Sequence, residues 1–275
     1  MQLAISNIAW EVAEDEQVAA LLKKYAIDTI DVAPGKYFPN PLAATSTEIA
    51  RVRDWWAQRG IAINGMQGLL FGTSGLNLFG SAETQAAMLE YLDGICRIAG
   101  GLGATRLVFG APKHRDRSGL SDAQANRLAV DFFRRLGEIV GQHGVTFCLE
   151  PVTTSNGANF MMTHAEAADI VTEVGHPAIR MQLDSGAIAG NGEDYAKVIR
   201  DHAALVAHVH LSEPGLVTLG DGGTDHAAMA ATMRECMPER MASIEMFPAR
   251  NEPNLDAIAR AIKVAIHYYR PRAQH

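Results

Sequence analysis

Four residues in the second half of the chain have the chemistry to hold a metal ion together: Glu150 in CLEP, Asp184 in QLDS, His210 in HVHL and Glu245 in SIEM. Each lies among apolar neighbours, and successive members stand about 30 residues apart, the length of one strand–helix unit. Three carboxylates and an imidazole at one level repel one another unless something cationic sits between them. A divalent ion meets that need. The oxygen-rich donor set with one nitrogen suits manganese, magnesium, cobalt or zinc and does not choose among them. A lone acid at a strand end is more often a solvated group or a helix cap, and a lone strand histidine more often a satisfied core residue. Four such residues in register argue for the ion.

A second histidine sits beside the third of these. In HVHLSE, His208, His210 and Ser212 share one face of a strand, while Val209 and Leu211 share the other. His208 is two residues deeper, which makes it a support for His210 from below rather than a ligand.

The elements that must position these residues alternate along the whole chain. Strand candidates are residues 3–6, 27–33, 61–67, 105–111, 145–151, 179–185, 206–212 and 242–247. Helical patterns lie between them at 46–60, 82–101 and 122–144, and a last one at 254–270. Ser121 offers an N-cap to the third and Gly144 a C-cap. Eight alternations in 275 residues predict an α/β protein, a single (β/α)8 TIM barrel over residues 1–275. A doubly wound open sheet is the rival, but no G-x-G-x-x-G follows the first strand and there is no P-loop. In such a barrel, the C-terminal ends of the strands carry the chemistry. All four candidates lie at such ends.

Composition narrows the partners. A net charge of -7 argues against a general nucleic-acid binder, which displays a basic face, and leaves KHRDR at 113–117 as the one candidate basic patch. Three separated cysteines do not make a disulfide framework. There is no apolar run long enough for a membrane span and no signal-peptide pattern at the start, so a cytoplasmic protein is expected.

The quartet resembles the metal site of the xylose-isomerase-like TIM-barrel superfamily, in its sugar and sugar-phosphate isomerase and epimerase branch, related to the ketose 3-epimerases. The resemblance spans the barrel, with its specific motifs in residues 145–247. It implies one divalent metal ion held by Glu150, Asp184, His210 and Glu245. It also implies that Glu150 and Glu245 act as an acid/base pair at a carbon next to a carbonyl, through an enediolate. The implied substrate is a small-molecule carbohydrate, the implied assembly a homo-oligomer. Two positions depart from the ketose 3-epimerases: Ala187 stands where they carry a substrate-contacting histidine, and SEPGLVTLGDGG lacks the arginine that follows their metal-binding histidine. The outer sugar pocket is therefore built differently. A dehydratase acting on a keto-polyol, of the inosose or dehydroshikimate type, is the alternative, and an additional acid at His226 or His114 favours it. An endonuclease IV-like repair enzyme is a third reading, disfavoured by the acidic charge and by Ala187.

Further residues could complete the site. Gln67 closes the third strand and can hydrogen-bond sugar hydroxyls. His114, in GAPKHRDR, could touch substrate or be solvated. Asn156 and Asn159 follow Glu150 and could face a polyol or form turns. Asp225 and His226 could cap the following helix or reach the substrate. Lys113, Arg115 and Arg117 read as a solvated charge cluster, with an anion subsite as the rival. Trp10 and Phe71 could wall a sugar face or simply pack.

Overall fold

The computed structural model describes residues 1–270; residues 271–275, the end of the expected domain, lie outside the described residues. Eight parallel strands close into a barrel in sequence order. They are β1 (Leu3–Ser6), β2 (Thr29–Val32), β3 (Ala62–Met66), β4 (Arg106–Phe109), β5 (Thr146–Leu149), β6 (Ile179–Asp184), β7 (Val206–Leu211) and β8 (Ala242–Ile244). Each pairs with the next, and β8 returns to β1 through Leu3–Ala242, Ala4–Ser243 and Ile5–Ile244. The ladders are shorter than the apolar runs because the flanking residues peel into loops, as at Ala111 with φ +25°.

Helices pack outside the barrel, and their starts are legible one by one. Thr45 and Glu48 form a capping box at Ser46–Ala57, and Ser121 and Gln124 do the same at Asp122–Gln142. At the other end of the latter helix, the cap position is His143, and Gly144 follows at φ +67°, a left-handed conformation that glycine adopts without steric cost. The last helix, Asn254–Tyr269, lays Ala257, Ile258, Ala261, Ile262 and Ala265 against the barrel, all buried.

Strand β7 shows why a strand aims two imidazoles inward. Val209 and Leu211 are buried on one face, and His208 and His210 are buried on the other. The register places Gln182 opposite His208, Asp184 opposite His210, and His210 opposite Ser243. The barrel interior is thus polar over its upper layers and apolar outside them.

Candidate metal centre

Glu150 directly follows β5, Asp184 ends β6, His210 lies in β7 and Glu245 directly follows β8. One donor atom from each lies within 4.8 Å of the others. Nδ1 of His210 is 3.2 Å from Oε1 of Glu150, 3.2 Å from Oε2 of Glu245 and 3.9 Å from Oδ2 of Asp184. His210 is fully buried, while Asp184 and Glu245 are 6% and 8% exposed.

Several contacts fix these side chains. Asp184 accepts hydrogen bonds from the Ser212 hydroxyl, at 3.0 and 2.9 Å, and from the Ala187 amide at 2.6 Å. The second of these makes it the N-cap of the short helix Ser185–Asn191. Gln67 donates to Oε1 of Glu245 at 2.6 Å. Arg115 donates to the backbone carbonyl of Glu150 at 2.8 Å. Gly110 lies against Oε2 of Glu150, where a Cβ would collide with it.

The electrostatics fit a cation. Like charges about 4 Å apart cost about 4 kcal/mol per pair at an effective dielectric near 20, so three clustered carboxylates do not stay ionised unaided. Burial, followed by the neighbouring Glu245 and Glu150 carboxylates, pushes Asp184 up to about 8. Burial disfavours charge on His210, yet Glu245 and Glu150 outweigh it and raise the imidazole well above its usual range. Burial also opposes ionisation of Glu245, and His210 and Gln67 together overcome it. A cluster that must hold a proton or an imidazolium to be tolerated is one that a divalent ion relieves.

Beside the quartet lies a cavity of about 140 Å³, lined by Glu150, Asp184 and Glu245 together with Thr153, Ser155, Asn156, Ala187 and Glu213. Among the described residues, no lysine or arginine lines it.

The remaining expected site residues are distributed unevenly. His208 lies below His210, its Nε2 2.8 Å from Oδ2 of Asp31. Gln67 reaches the quartet through Glu245, and its own Oε1 is buried without a partner among the described residues. His114 faces a different hollow, between the loops after β3 and β4, where its Nε2 is 2.9 Å from the Thr73 hydroxyl and Lys113 and the exposed Phe71 line the same wall. Three expectations need correction. His226 does not reach the cavity: it is buried behind Glu213, with Nε2 3.1 Å from Oε1 of Glu213 and Nδ1 2.7 Å from the Tyr269 hydroxyl. Its partners come from the end of the last helix, a contact no local pattern carries. Asp225 caps the helix that His226 begins, accepting from the Ala228 amide at 2.9 Å. Asn159 lies in an outer hollow with Arg117 and Asp122, bonding the Arg117 amide at 3.1 Å and Asp116 at 2.6 Å. Arg115 is no solvated cation: it is fully buried, whereas Arg117 pairs with Asp122 at the surface. Trp10 packs, fully buried, with its indole nitrogen on Asp15 at 2.7 Å.

Asp31 was missed, although the signal was available: a carboxylate in the apolar strand TIDV is the same anomaly as a histidine in VAHVHL. Glu213 was missed for a better reason. It follows β7 in a glycine-rich loop, and only the fold buries it, at 1% exposure. All three cysteines are free, and no described helix is long and apolar enough to cross a membrane.

Comparison with known proteins agrees with this architecture. The model of the family described as xylose isomerase-like TIM barrel matches residues 19–267. A Homo sapiens protein described as "Putative hydroxypyruvate isomerase" is 28% identical over 144 residues, which are 48% of this chain and 49% of that protein. The match thus spans about half of each chain. Among solved structures, D-psicose 3-epimerase with D-tagatose from Clostridium cellulolyticum H10 superposes with a TM-score of 0.80 at 17% identity, over 98% of this chain and 98% of that one. The IOLI protein with a zinc atom bound superposes with a TM-score of 0.72 at 18% identity, over 98% and 100%. At these identities the likeness to the solved structures is one of fold.

Proposed function

The chain belongs to the xylose isomerase-like TIM barrel family, and on that footing we propose that it is a divalent-metal-dependent isomerase or epimerase of a sugar or sugar derivative. The observation that carries this reading is the convergence of Glu150, Asp184, His210 and Glu245 to within 4.8 Å at the ends of four consecutive strands. These four residues would hold manganese, magnesium, cobalt or zinc. A metal there supplies Lewis-acid polarisation of oxygens on the substrate.

The chain's own residues do the rest. Glu150 and Glu245 reach the site from β5 and β8, which are not neighbours in the barrel. One takes a proton from the carbon next to a carbonyl and the other returns a proton from the opposite face. Asp184 is tied down by Ser212 and Ala187 and serves as a fixed anionic ligand. The cavity offers the hydroxyls of Thr153 and Ser155 and the amide of Asn156. With no lysine or arginine on its wall among the described residues, it suits an uncharged polyol better than a sugar phosphate. The isomerase description of the human relative and the epimerase chemistry of the D-psicose enzyme support the same class.

The dehydratase alternative needs an additional acid at His226 or His114; His226 is occupied by Glu213 and Tyr269, and His114 lies in a separate hollow beside Thr73. One experiment separates the readings. Metal-supplemented protein is incubated with a panel of ketoses in D₂O, and both deuterium incorporation and ultraviolet absorbance are followed. Exchange without a new chromophore supports isomerisation or epimerisation; an absorbing enone supports elimination. No exchange with any ketose, in protein shown to hold a metal, would overturn the proposal.

A further inference from the structure

Below the quartet, the barrel interior holds a second polar group, contributed by β2, β7 and β8. Nε2 of His208 lies 2.8 Å from Oδ2 of Asp31, and both residues are buried. One donor atom each of Asp31, His208 and His210 lies within 4.8 Å of the others. Strand β3 makes room for them. Gly65 is the strand partner of Asp31, and a Cβ there would come within 2.5 Å of Oδ1 of Asp31 and 3.0 Å of Nε2 of His208.

Three buried polar atoms in this group have no hydrogen-bond partner among the described residues: Oδ1 of Asp31, Nε2 of His210 and Oγ of Ser243. Their chemistries are complementary. A carboxylate oxygen only accepts, a hydroxyl both donates and accepts, and an imidazole nitrogen donates when it carries the hydrogen. Ser243 is the strand partner of His210, and its hydroxyl lies beside the Asp31 carboxylate.

We propose that Asp31 is a positioning residue for the metal centre: with Ser243, it keeps the hydrogen of His210 on Nε2 and leaves the Nδ1 lone pair facing Glu150, Asp184 and Glu245. This rests on the metal reading of the quartet. A neutral imidazole carries one N–H, and only its bare nitrogen binds a metal. Nδ1 faces the carboxylates, so the hydrogen belongs on Nε2, inside the barrel, where an unpaired donor is costly. Asp31 and Ser243 are the groups able to take it, directly or through the hydroxyl. His208 holds the other carboxylate oxygen and so fixes the direction of the first. A carboxylate behind a metal-binding histidine both orients the ring and makes it a better donor.

The rival is that Asp31 and His208 only brace the barrel, and affinity separates the two. The full chain and its Asp31→Asn and Ser243→Ala variants would be titrated with Mn²⁺ by electron paramagnetic resonance. The histidine side-chain nitrogens of the Zn²⁺-loaded proteins would be read by NMR, with thermal unfolding as the control. The expected result is Nε2–H for His210 in the wild type, metal binding weakened about 10–100-fold in Asp31→Asn, and a smaller loss in Ser243→Ala. An Asp31→Asn protein that unfolds earlier but binds Mn²⁺ as tightly as the wild type overturns the proposal. If Asp31→Asn fails to fold, Ser243→Ala carries the test, and unchanged affinity there overturns it. A wild type that binds no ion overturns the quartet reading first, and this inference with it.

Discussion

The side-chain amide of Gln67, one residue past β3, donates a 2.6 Å hydrogen bond to Oε1 of Glu245, one residue past β8. The bond crosses the barrel mouth and leaves Oε2 of Glu245 turned to His210 at 3.2 Å. Gln67 thereby sets which oxygen of Glu245 would face a metal held in the proposed site. Replacing it with leucine keeps the bulk and removes the donor. We expect Gln67→Leu to weaken metal binding about tenfold, within the range for groups that orient metal ligands, with the fold intact by circular dichroism. Equal affinity in calorimetric titrations would show that Glu245 needs no such hold.

The two glutamates carry both the ion and the proton in the proposed mechanism. Glu150→Gln and Glu245→Gln are isosteric at the oxygens but cannot serve as bases. Each single variant should lose proton exchange by about 10²–10⁴-fold, the usual contribution of general acid–base catalysis, and the double variant should also lose the metal. Elemental analysis beside a D₂O exchange assay reads both effects. Full exchange in either single variant would remove that glutamate from the acid/base pair.

Gly110 tests the geometry from the opposite side. It carries no side chain, and the space a Cβ would occupy is taken by Oε2 of Glu150. Its position next to the loop after β4 leaves the barrel ladder untouched. Gly110→Ala should fold with a melting temperature within a few degrees of the wild type. Its metal affinity and exchange rate should each fall about tenfold or more, because the carboxylate is pushed off its position. Normal affinity in this variant would mean that Glu150 can hold the ion from another rotamer.

Glu213 gives the pH dependence. Burial works against its charge, but hydrogen bonds from the His226 ring and from the Thr224 and Gly220 amides outweigh it and hold the carboxyl down to about 2. A depressed folded value means that the unfolded chain takes up the proton first. The stabilisation is therefore fully present above the unfolded value of about 4.3 and is lost as pH falls from there toward 2. It amounts to something on the order of 2 kcal/mol. Urea unfolding of the wild type and Glu213→Gln should differ most near neutral pH and converge as the solution is acidified. A constant difference across that range would show that the carboxylate charge is not what holds the loop after β7.

How much of this was legible beforehand follows a physical line. The alternation of strands and helices, the caps at Thr45 and Ser121, and the two faces of β7 are written in short-range pattern, because a strand repeats every two residues and a helix start needs one hydroxyl or carboxylate. The quartet was legible for a related reason: parallel barrel strands bring equivalent ends together, so four polar residues at four strand ends meet whatever the loops do. Loops and long contacts obey no such rule. His226 and Asn159 sit in promising loops, yet one turns to Tyr269 in the last helix and the other to Asp116 and Arg117. Arg115 looks like a surface cation and is buried against the Glu150 backbone. Asp31 meets His208 across 177 positions of chain. The sequence by itself determined the barrel and the four donors, since both arise from spacing that a regular fold must honour. Only the tertiary structure decided which remaining polar groups face the quartet, the cavity or one another, because burial and the pairing of donors with acceptors are settled by neighbours distant along the chain.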